Sequence, residues 1–296
     1  MSFQLTLLGT GTPSPLLHRA GSSYLVRLPD ETLLFDCGPF CVRRLLENSV
    51  PLTQITSLFL THLHYDHCVD YGHLVLSRWD QGVGMIPDLD VFGPPFTQRM
   101  TELLFGESGV YGPDLAARTQ HPGSHFIYEK RGGVLPRERP SPFVKEVQNG
   151  SIIENENWRV QVAEVVHCQP QLTCLAYRFE TDGRAIVFGG DSAPTESLTS
   201  LAKDADVLLH MCHFINGVVT DSRMTSCCSG HLDAARTAKE ANIRTLVLVH
   251  ITEQVEKPGI RERILCEAGQ IFDGQIIFGE DLLDVPVGKI ETETIR

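Results

Sequence analysis

The sequence has no apolar run approaching the ~20 residues that a membrane-crossing helix requires, and none of its cysteines form a C-x-x-C pair. Its first residues, Met1-Ser-Phe-Gln-Leu-Thr-Leu-Leu8, carry no basic stretch and no cleavage site, so they read as a strand rather than a secretory leader. The nine cysteines are odd in number and irregularly spaced, which speaks for free thiols in a reducing compartment. The expectation is a cytoplasmic protein with no membrane association. Positive charge is scarce, with 25 Lys and Arg against 37 Asp and Glu and a net charge of −12. Affinity for polynucleotides comes largely from Lys and Arg on phosphates, so this balance argues against a long nucleic-acid substrate without forbidding a local basic patch. The turn Gly9-Thr-Gly-Thr-Pro-Ser-Pro15 is rigid and glycine-rich, but no G-x-x-x-x-G-K follows, which excludes a P-loop.

What is present is concentrated in one stretch, Ser57-Leu-Phe-Leu-Thr-His-Leu-His-Tyr-Asp-His67. Leu58, Phe59 and Leu60 form a short apolar run suited to a buried strand. Residues two apart in extended backbone point the same way, so His62 and His64 can share one metal ion. A turn at Tyr65 would then bring Asp66 and His67 to a second position. Mixed imidazole and carboxylate donors suit a borderline divalent ion such as zinc, and the same set accepts manganese or iron. The competing reading is a histidine-rich surface loop.

The remaining pattern mixes strands and helices in a chain long enough for a large core, at 296 residues and 42% apolar composition. Strands are expected at 3–8, 23–28, 32–35, 58–60 and 90–94 in the first half, and helices at 40–48, 69–79 and 97–105. The second half repeats the theme, with strands at 158–166, 175–179, 185–188, 207–209 and 246–249 and helices at 196–203, 233–241 and 260–267. His62, His167, Asp191 and His250 each stand at the exit of a strand, where a rigid scaffold presents functional side chains. Residues 110–142 break the pattern with Pro, Gly and several arginines, and read as a loop-rich insertion in a single domain spanning 1–296. That stretch is either a lid receiving an anionic substrate or a solvated segment or dimer contact. His121 and His125 within it are not expected to bind metal.

His62-Leu-His64-Tyr-Asp66-His67 resembles the H-x-H-x-D-H signature of the metallo-β-lactamase fold superfamily, and the likeness extends over nearly the whole chain. The resemblance implies an αββα sandwich, two mixed sheets flanked by helices. It implies two divalent metal ions per chain, the first held by His62, His64 and His167 and the second by Asp66, His67 and His250, with Asp191 bridging. An aspartate matching Asp36 would lie behind the ligands and orient them, although a plain turn aspartate fits the sequence as well.

Within the superfamily the chain is most similar to the ribonuclease Z, phosphodiesterase and arylsulfatase-like branch, through Gly9-Thr-Gly-Thr-Pro13, Gly189-Gly-Asp-Ser192 and Ser229-Gly-His231-Leu-Asp-Ala-Ala235. By that resemblance His231, with Asp66, is assigned to catalysis; the alternative for His231 is a plain helix-start residue. Two departures stand out. Ribonuclease Z proteins carry a Pro-x-Lys-x-Arg-Asn loop where this chain has Pro13-Ser-Pro-Leu-Leu-His-Arg-Ala20, without lysine. They also carry a glutamate where this chain has Met211, in His210-Met-Cys-His-Phe214, and His213 is a candidate replacement polar group.

The function expected is hydrolysis of a small anionic ester, a phosphodiester or sulfate ester, by a metal-bridging hydroxide. A ribonuclease Z-type tRNA endonuclease and a lactonase or other acyl hydrolase are the alternatives, and a metal-binding sensor or regulatory protein is the non-enzymatic one. A homodimer is in keeping with the resembling branch.

Overall fold

A computed structural model describes residues 3–288. Their fourteen strands divide into two seven-stranded sheets. The first sheet takes β1 (Gln4–Gly9), β2 (Ser23–Arg27), β3 (Thr32–Phe35), β4 (Ser57–Phe59), β5 (Asp90–Gly93) and β6 (Phe143–Glu146). The second takes β7 (Ile152–Glu154), β8 (Arg159–Val165), β9 (Cys174–Thr181), β10 (Arg184–Phe188), β11 (Val207–Met211), β12 (Thr245–Val249) and β13 (Gln275–Phe278). The last strand, β14 (Leu283–Val285), returns to the first sheet beside β1.

The two sheets follow the same plan. In the first, β14-β1-β2-β3 pair antiparallel and β3-β4-β5-β6 parallel. In the second, β7-β8-β9-β10 pair antiparallel and β10-β11-β12-β13 parallel. The facing sides bury one apolar layer that includes Leu5, Phe35, Phe59, Tyr177, Phe179 and Phe188. Its centre is an aromatic stack in which Phe35 lies 3.8 Å from Phe188 and 4.8 Å from Phe59, centroid to centroid. Two further apolar layers fill the outer faces, where helices cover each sheet. This is the αββα sandwich that the family resemblance implies, and strand periodicity alone could not have distinguished it from other mixed folds.

Most expected elements stand within two residues of where the pattern placed them. Residues 110–142 do not. They contain two helices, Gly112–Gln120 and Pro122–Lys130, each with a proline in its first turn, where the missing N–H costs nothing. Leu115 and Tyr128 are buried, the former in the layer outside the first sheet. The glycines and prolines that read as loop chemistry mark the ends of these helices. Nor are the arginines free: Arg118, Arg131 and Arg137 converge on Asp80 of helix Tyr71–Gly82, at 3.2, 2.9 and 2.8 Å. Arg137 is also sandwiched between the rings of Trp79 and Tyr128. The segment is therefore fastened to the helical layer through Asp80, with Arg137 buried and Arg118 and Arg131 at the surface. His125 Nε2 meets the Thr119 carbonyl, and His121 Nδ1 accepts from Gly123 N–H as a helix cap, so both have structural partners.

Candidate metal centre

The chemistry gathers at the C-terminal ends of the parallel strands, the usual position for a site on such a sheet. Phe35, Phe59 and Phe188 end β3, β4 and β10 in the aromatic stack; Asp36, His62 and Asp191 follow just beyond. His250 follows β12 directly, and His167 stands two residues past β8.

His62, His64, His167 and Asp191 form one group of donors, and Asp66, His67 and His250 a second, with the donor atoms of each group within 4.8 Å of one another. His62 Nε2 lies 3.0 Å from His64 Nδ1 and 4.0 Å from Asp191 Oδ2, and His167 Nε2 lies 3.7 Å from the same oxygen. Across the site, Asp191 Oδ1 is 3.4 Å from His67 Nε2 and its Oδ2 is 3.1 Å from His250 Nε2. Asp66 Oδ2 stands 3.3 Å from His250 Nε2 and 3.6 Å from His67 Nε2. One carboxylate thus faces both groups. The turn at Tyr65 is a single helical turn, Tyr65–Cys68, which rotates Asp66 and His67 away from the His62/His64 pair.

Backbone strain helps to hold this arrangement. His250 and Asp36 both have left-handed backbone, at φ 57° and 59°, a conformation that a non-glycine residue keeps only when its surroundings enforce it. The enforcing contact at His250 comes from the glycine-rich opening turn, where the Thr10 carbonyl accepts from Ile251 N–H at 2.8 Å. Gly190, at φ 58°, lets the chain turn before Asp191; a Cβ there would meet the Leu175 carbonyl at 2.9 Å.

A second layer orients the donors. Asp36 accepts from Thr61 N–H at 2.7 Å, from Thr61 Oγ1 at 2.9 Å and from His67 Nδ1 at 2.7 Å, which leaves His67 Nε2 for the centre. His167 Nδ1 donates to the Cys227 carbonyl at 2.6 Å, which frees its Nε2. These contacts choose, for each ring, the nitrogen that faces inward.

The electrostatics mark the same spot. Burial, with His67 nearby, pushes His62 well below the usual imidazole range, and burial with His167 lowers His64. Burial opposes charge on His67 and His250 too, but Asp191 outweighs it at both, helped by Asp36 at the first and Asp66 at the second. His67 is held well above its ordinary value and His250 is pushed up to about 9. Burial would raise Asp191, yet His250 and His67 hold it well below the carboxylate range. Asp66 Oδ1 and His67 Nε2 are buried with no hydrogen-bond partner among the described residues, a costly state for a polar atom unless a cation faces it. The donor set, its inward lone pairs and these two orphan atoms fit two divalent ions.

His231 is not brought to this group. It opens helix His231–Glu240, is fully buried, and turns its Nε2 to Glu267 on helix Ile260–Gly269 at 2.8 Å. Its Nδ1 accepts from Asn216 N–H at 3.4 Å. The residues of that loop that do meet the site come just before it. The Cys227 carbonyl holds His167, Cys228 Sγ lies 4.0 Å from His167 Nδ1, and Ser229 O accepts from His213 N–H. His167, Cys227 and Cys228 make a third cluster of potential ligands, which the sequence reading missed; the adjacent Cys227-Cys228 pair was the signal. Met211 packs with Phe214 and Cys228, so the position of the expected glutamate is apolar here. His213 stands beside the centre, its Nδ1 3.1 Å from His250 Nδ1. In the departing loop Arg19 is buried and bound to Glu256 and the Gly279 carbonyl, so it serves the fold.

Comparison with known proteins agrees with this geometry. Residues 18–250 match the family model of the metallo-beta-lactamase superfamily. Ribonuclease Z from Mycobacterium bovis (strain BCG / Pasteur 1173P2) is 32% identical over 292 residues, covering 96% of this chain and 98% of that protein. Among solved structures, the metallo-beta-lactamase fold protein YhfI from Bacillus subtilis superposes with a TM-score of 0.74 at 21% identity, covering 97% of this chain and 99% of the other. The short form of human tRNase Z superposes with a TM-score of 0.68 at 19% identity, covering 97% of this chain and all (100%) of the other. At such identities the two structures speak for the fold.

Proposed function

The chain belongs to the metallo-beta-lactamase superfamily and is a hydrolase of ester bonds; from that premise we propose that it cleaves phosphodiesters at a centre of two divalent ions, zinc in the first instance. The observation that carries this is the position of Asp191, one carboxylate facing two complete donor groups. His62, His64 and His167 are proposed to hold one ion, and Asp66, His67 and His250 the other. When bound, two such ions activate water near neutral pH and neutralise charge on the phosphoryl oxygens. The protein's own part is to orient. Asp36 fixes the imidazole of His67 and the Cys227 carbonyl that of His167.

Similarity over nearly the whole length of a ribonuclease Z supports an RNA substrate more directly than anything in the site supports a sulfate ester or a lactone. A specific observation favours a second reading, a small phosphodiester. Arg19, Arg44 and Arg137 are largely buried on carboxylate partners, so these three charges are not free to track a polynucleotide backbone. The deciding experiment is a panel of precursor tRNA, an aryl phosphodiester, an aryl sulfate and a lactone, assayed with metal-loaded protein. Turnover of precursor tRNA at a defined 3′ position, with a strong dependence on salt, supports the RNA reading. Turnover of the aryl diester alone supports the small substrate. Turnover of only the sulfate or the lactone overturns the phosphodiester assignment.

A further inference from the structure

Cys227 and Cys228 are adjacent in the chain and stand together against the first donor group. Their sulfurs are 3.8 Å apart, and Cys228 Sγ lies 4.0 Å from His167 Nδ1. Cys168, the residue after His167, brings a third sulfur close to both thiols. All three cysteines are free thiols; Cys228 is buried, and Cys227 and Cys168 are half-buried, so solvent reaches the group at those two. The separation of the pair suits a shared ion better than a disulfide. A tetrahedral ion with bonds to sulfur of about 2.3 Å holds its sulfurs about 3.8 Å apart. Neighbouring residues have Cα atoms only about 3.8 Å apart, below the roughly 4.4–6.8 Å that a disulfide ordinarily spans.

Ligand softness separates this pair from the hydrolytic centre. The two donor groups of the centre offer nitrogen and oxygen alone, whereas the pair offers sulfur, so an ion softer than zinc is drawn to the cysteines. The backbone then ties the pair to the centre. Cys227 Sγ donates to the carbonyls of Arg223 and Met224, at 3.2 and 3.4 Å, and the Cys227 carbonyl accepts from His167 Nδ1 at 2.6 Å. That carbonyl belongs to the peptide between the two cysteines, so the ring that an ion closes across both sulfurs contains it. On the other side of the pair, Ser229 Oγ donates at 2.6 Å to the carbonyl of Ser192, the residue after Asp191. A change at the sulfurs therefore reaches the first donor group through one peptide.

We propose that Cys227 and Cys228 are an inhibitory site for a thiophilic ion softer than zinc, of the cadmium class. Capture turns the Cys227 carbonyl away from His167 and loosens the first ion of the hydrolytic centre. Two thiol protons leave for solvent as two sulfur–metal bonds form, and no oxidant takes part. The capture rests on the cysteines alone; the loosening also rests on His167 as a ligand, which belongs to the function proposed above.

Titration of the zinc-loaded protein with cadmium alone tests the capture, read by the ultraviolet charge-transfer band of cadmium on thiolate. Nitrogen and oxygen ligands give no such band, so exchange of cadmium into the hydrolytic centre is silent. The band should saturate at one cadmium per chain in the natural protein. It should do the same in Cys266→Ser, which removes an exposed thiol on helix Ile260–Gly269. Cys227→Ser and Cys228→Ser should both fail to saturate at one equivalent. No band in the natural protein, or saturation at one equivalent in either of these variants, overturns the capture. Equilibrium dialysis with radioactive zinc tests the coupling. One equivalent of cadmium should weaken one zinc about 10–100-fold in the natural protein, the usual effect when a ligating histidine loses its partner, and much less in Cys228→Ser. Unchanged zinc affinity, or equal weakening in Cys228→Ser, overturns the coupling. His167→Ala separates this failure from failure of the ligand assignment. Loss of one zinc upholds His167 as a ligand; two zinc ions retained at natural affinity overturns that assignment and the coupling with it, and the band still decides the capture.

Discussion

His67 Nδ1 donates to Asp36 Oδ2 at 2.7 Å, between two side chains with almost no exposure to solvent. This bond joins the end of β3 to the helical turn after β4, and it determines which nitrogen of His67 faces the second donor group. Removing it as Asp36→Ala should weaken the second metal about 10–100-fold and affect the first much less. Stepwise zinc titration against a chelator reads both affinities. Equal weakening at both positions would show that Asp36 supports the fold of the whole loop and not His67 in particular.

Asp191 faces both groups, so Asp191→Ala should leave at most one tightly held ion per chain and remove most of the activity. Elemental analysis of the saturated variant checks this. Two ions retained at natural affinity would mean that the carboxylate does not bridge.

The metal-free protein should lose stability as pH rises. The folded-state value of His250, about 9, lies above the ordinary imidazole value of about 6.5 in an unfolded chain. Its contribution is therefore complete below about pH 6.5 and disappears as pH passes about 9. His67 is shifted in the same direction. Metal should displace these protons, so calorimetry in buffers of different ionisation enthalpy should detect proton release on zinc binding at pH 7.5, with less release at pH 9.5. Proton uptake, or no pH dependence, is the contrary result.

Asp80 gathers three arginines, and Arg137 among them is buried between two aromatic rings. Asp80→Ala should cost about 1–3 kcal/mol of stability, because a buried guanidinium loses its acceptor, and amide exchange should speed up over residues 112–137. Metal content should not change. Burial would raise the Asp80 carboxyl, but Arg137 and Arg131 hold it below its ordinary value. Its stabilisation is thus present above about pH 4 and disappears as pH falls through the depressed folded value. A variant as stable as the natural protein would mean that the segment packs by its apolar contacts alone.

His231→Ala should keep both metals and nearly all of kcat, and should lower the melting temperature through the lost contact with Glu267. A fall in kcat of two orders of magnitude with metals retained would return His231 to the active site.

The donors within His62–His67 could be read directly because they are local. Extended backbone aligns His62 with His64, and a turn displaces Asp66 and His67, whatever the rest of the chain does. His167, Asp191 and His250 entered through resemblance, since no spacing along the chain says that β8, β10 and β12 end at one place. Strand order and the parallel register of β10, β11 and β12 do that. The same register, with Met211 opposite Val249, carries His213 to the side of His250, and nothing local to either residue indicates it. His231 stands apart from the donors for the converse reason. Its sequence neighbours Cys227, Cys228 and Ser229 do line the site, but helix phase turns the first residue of His231–Glu240 toward Glu267 instead. In residues 110–142, composition showed the prolines and glycines correctly. Packing on Trp79 and Asp80, between residues far apart in the chain, ties the two helices and their arginines to the layer outside the first sheet, which local composition does not show.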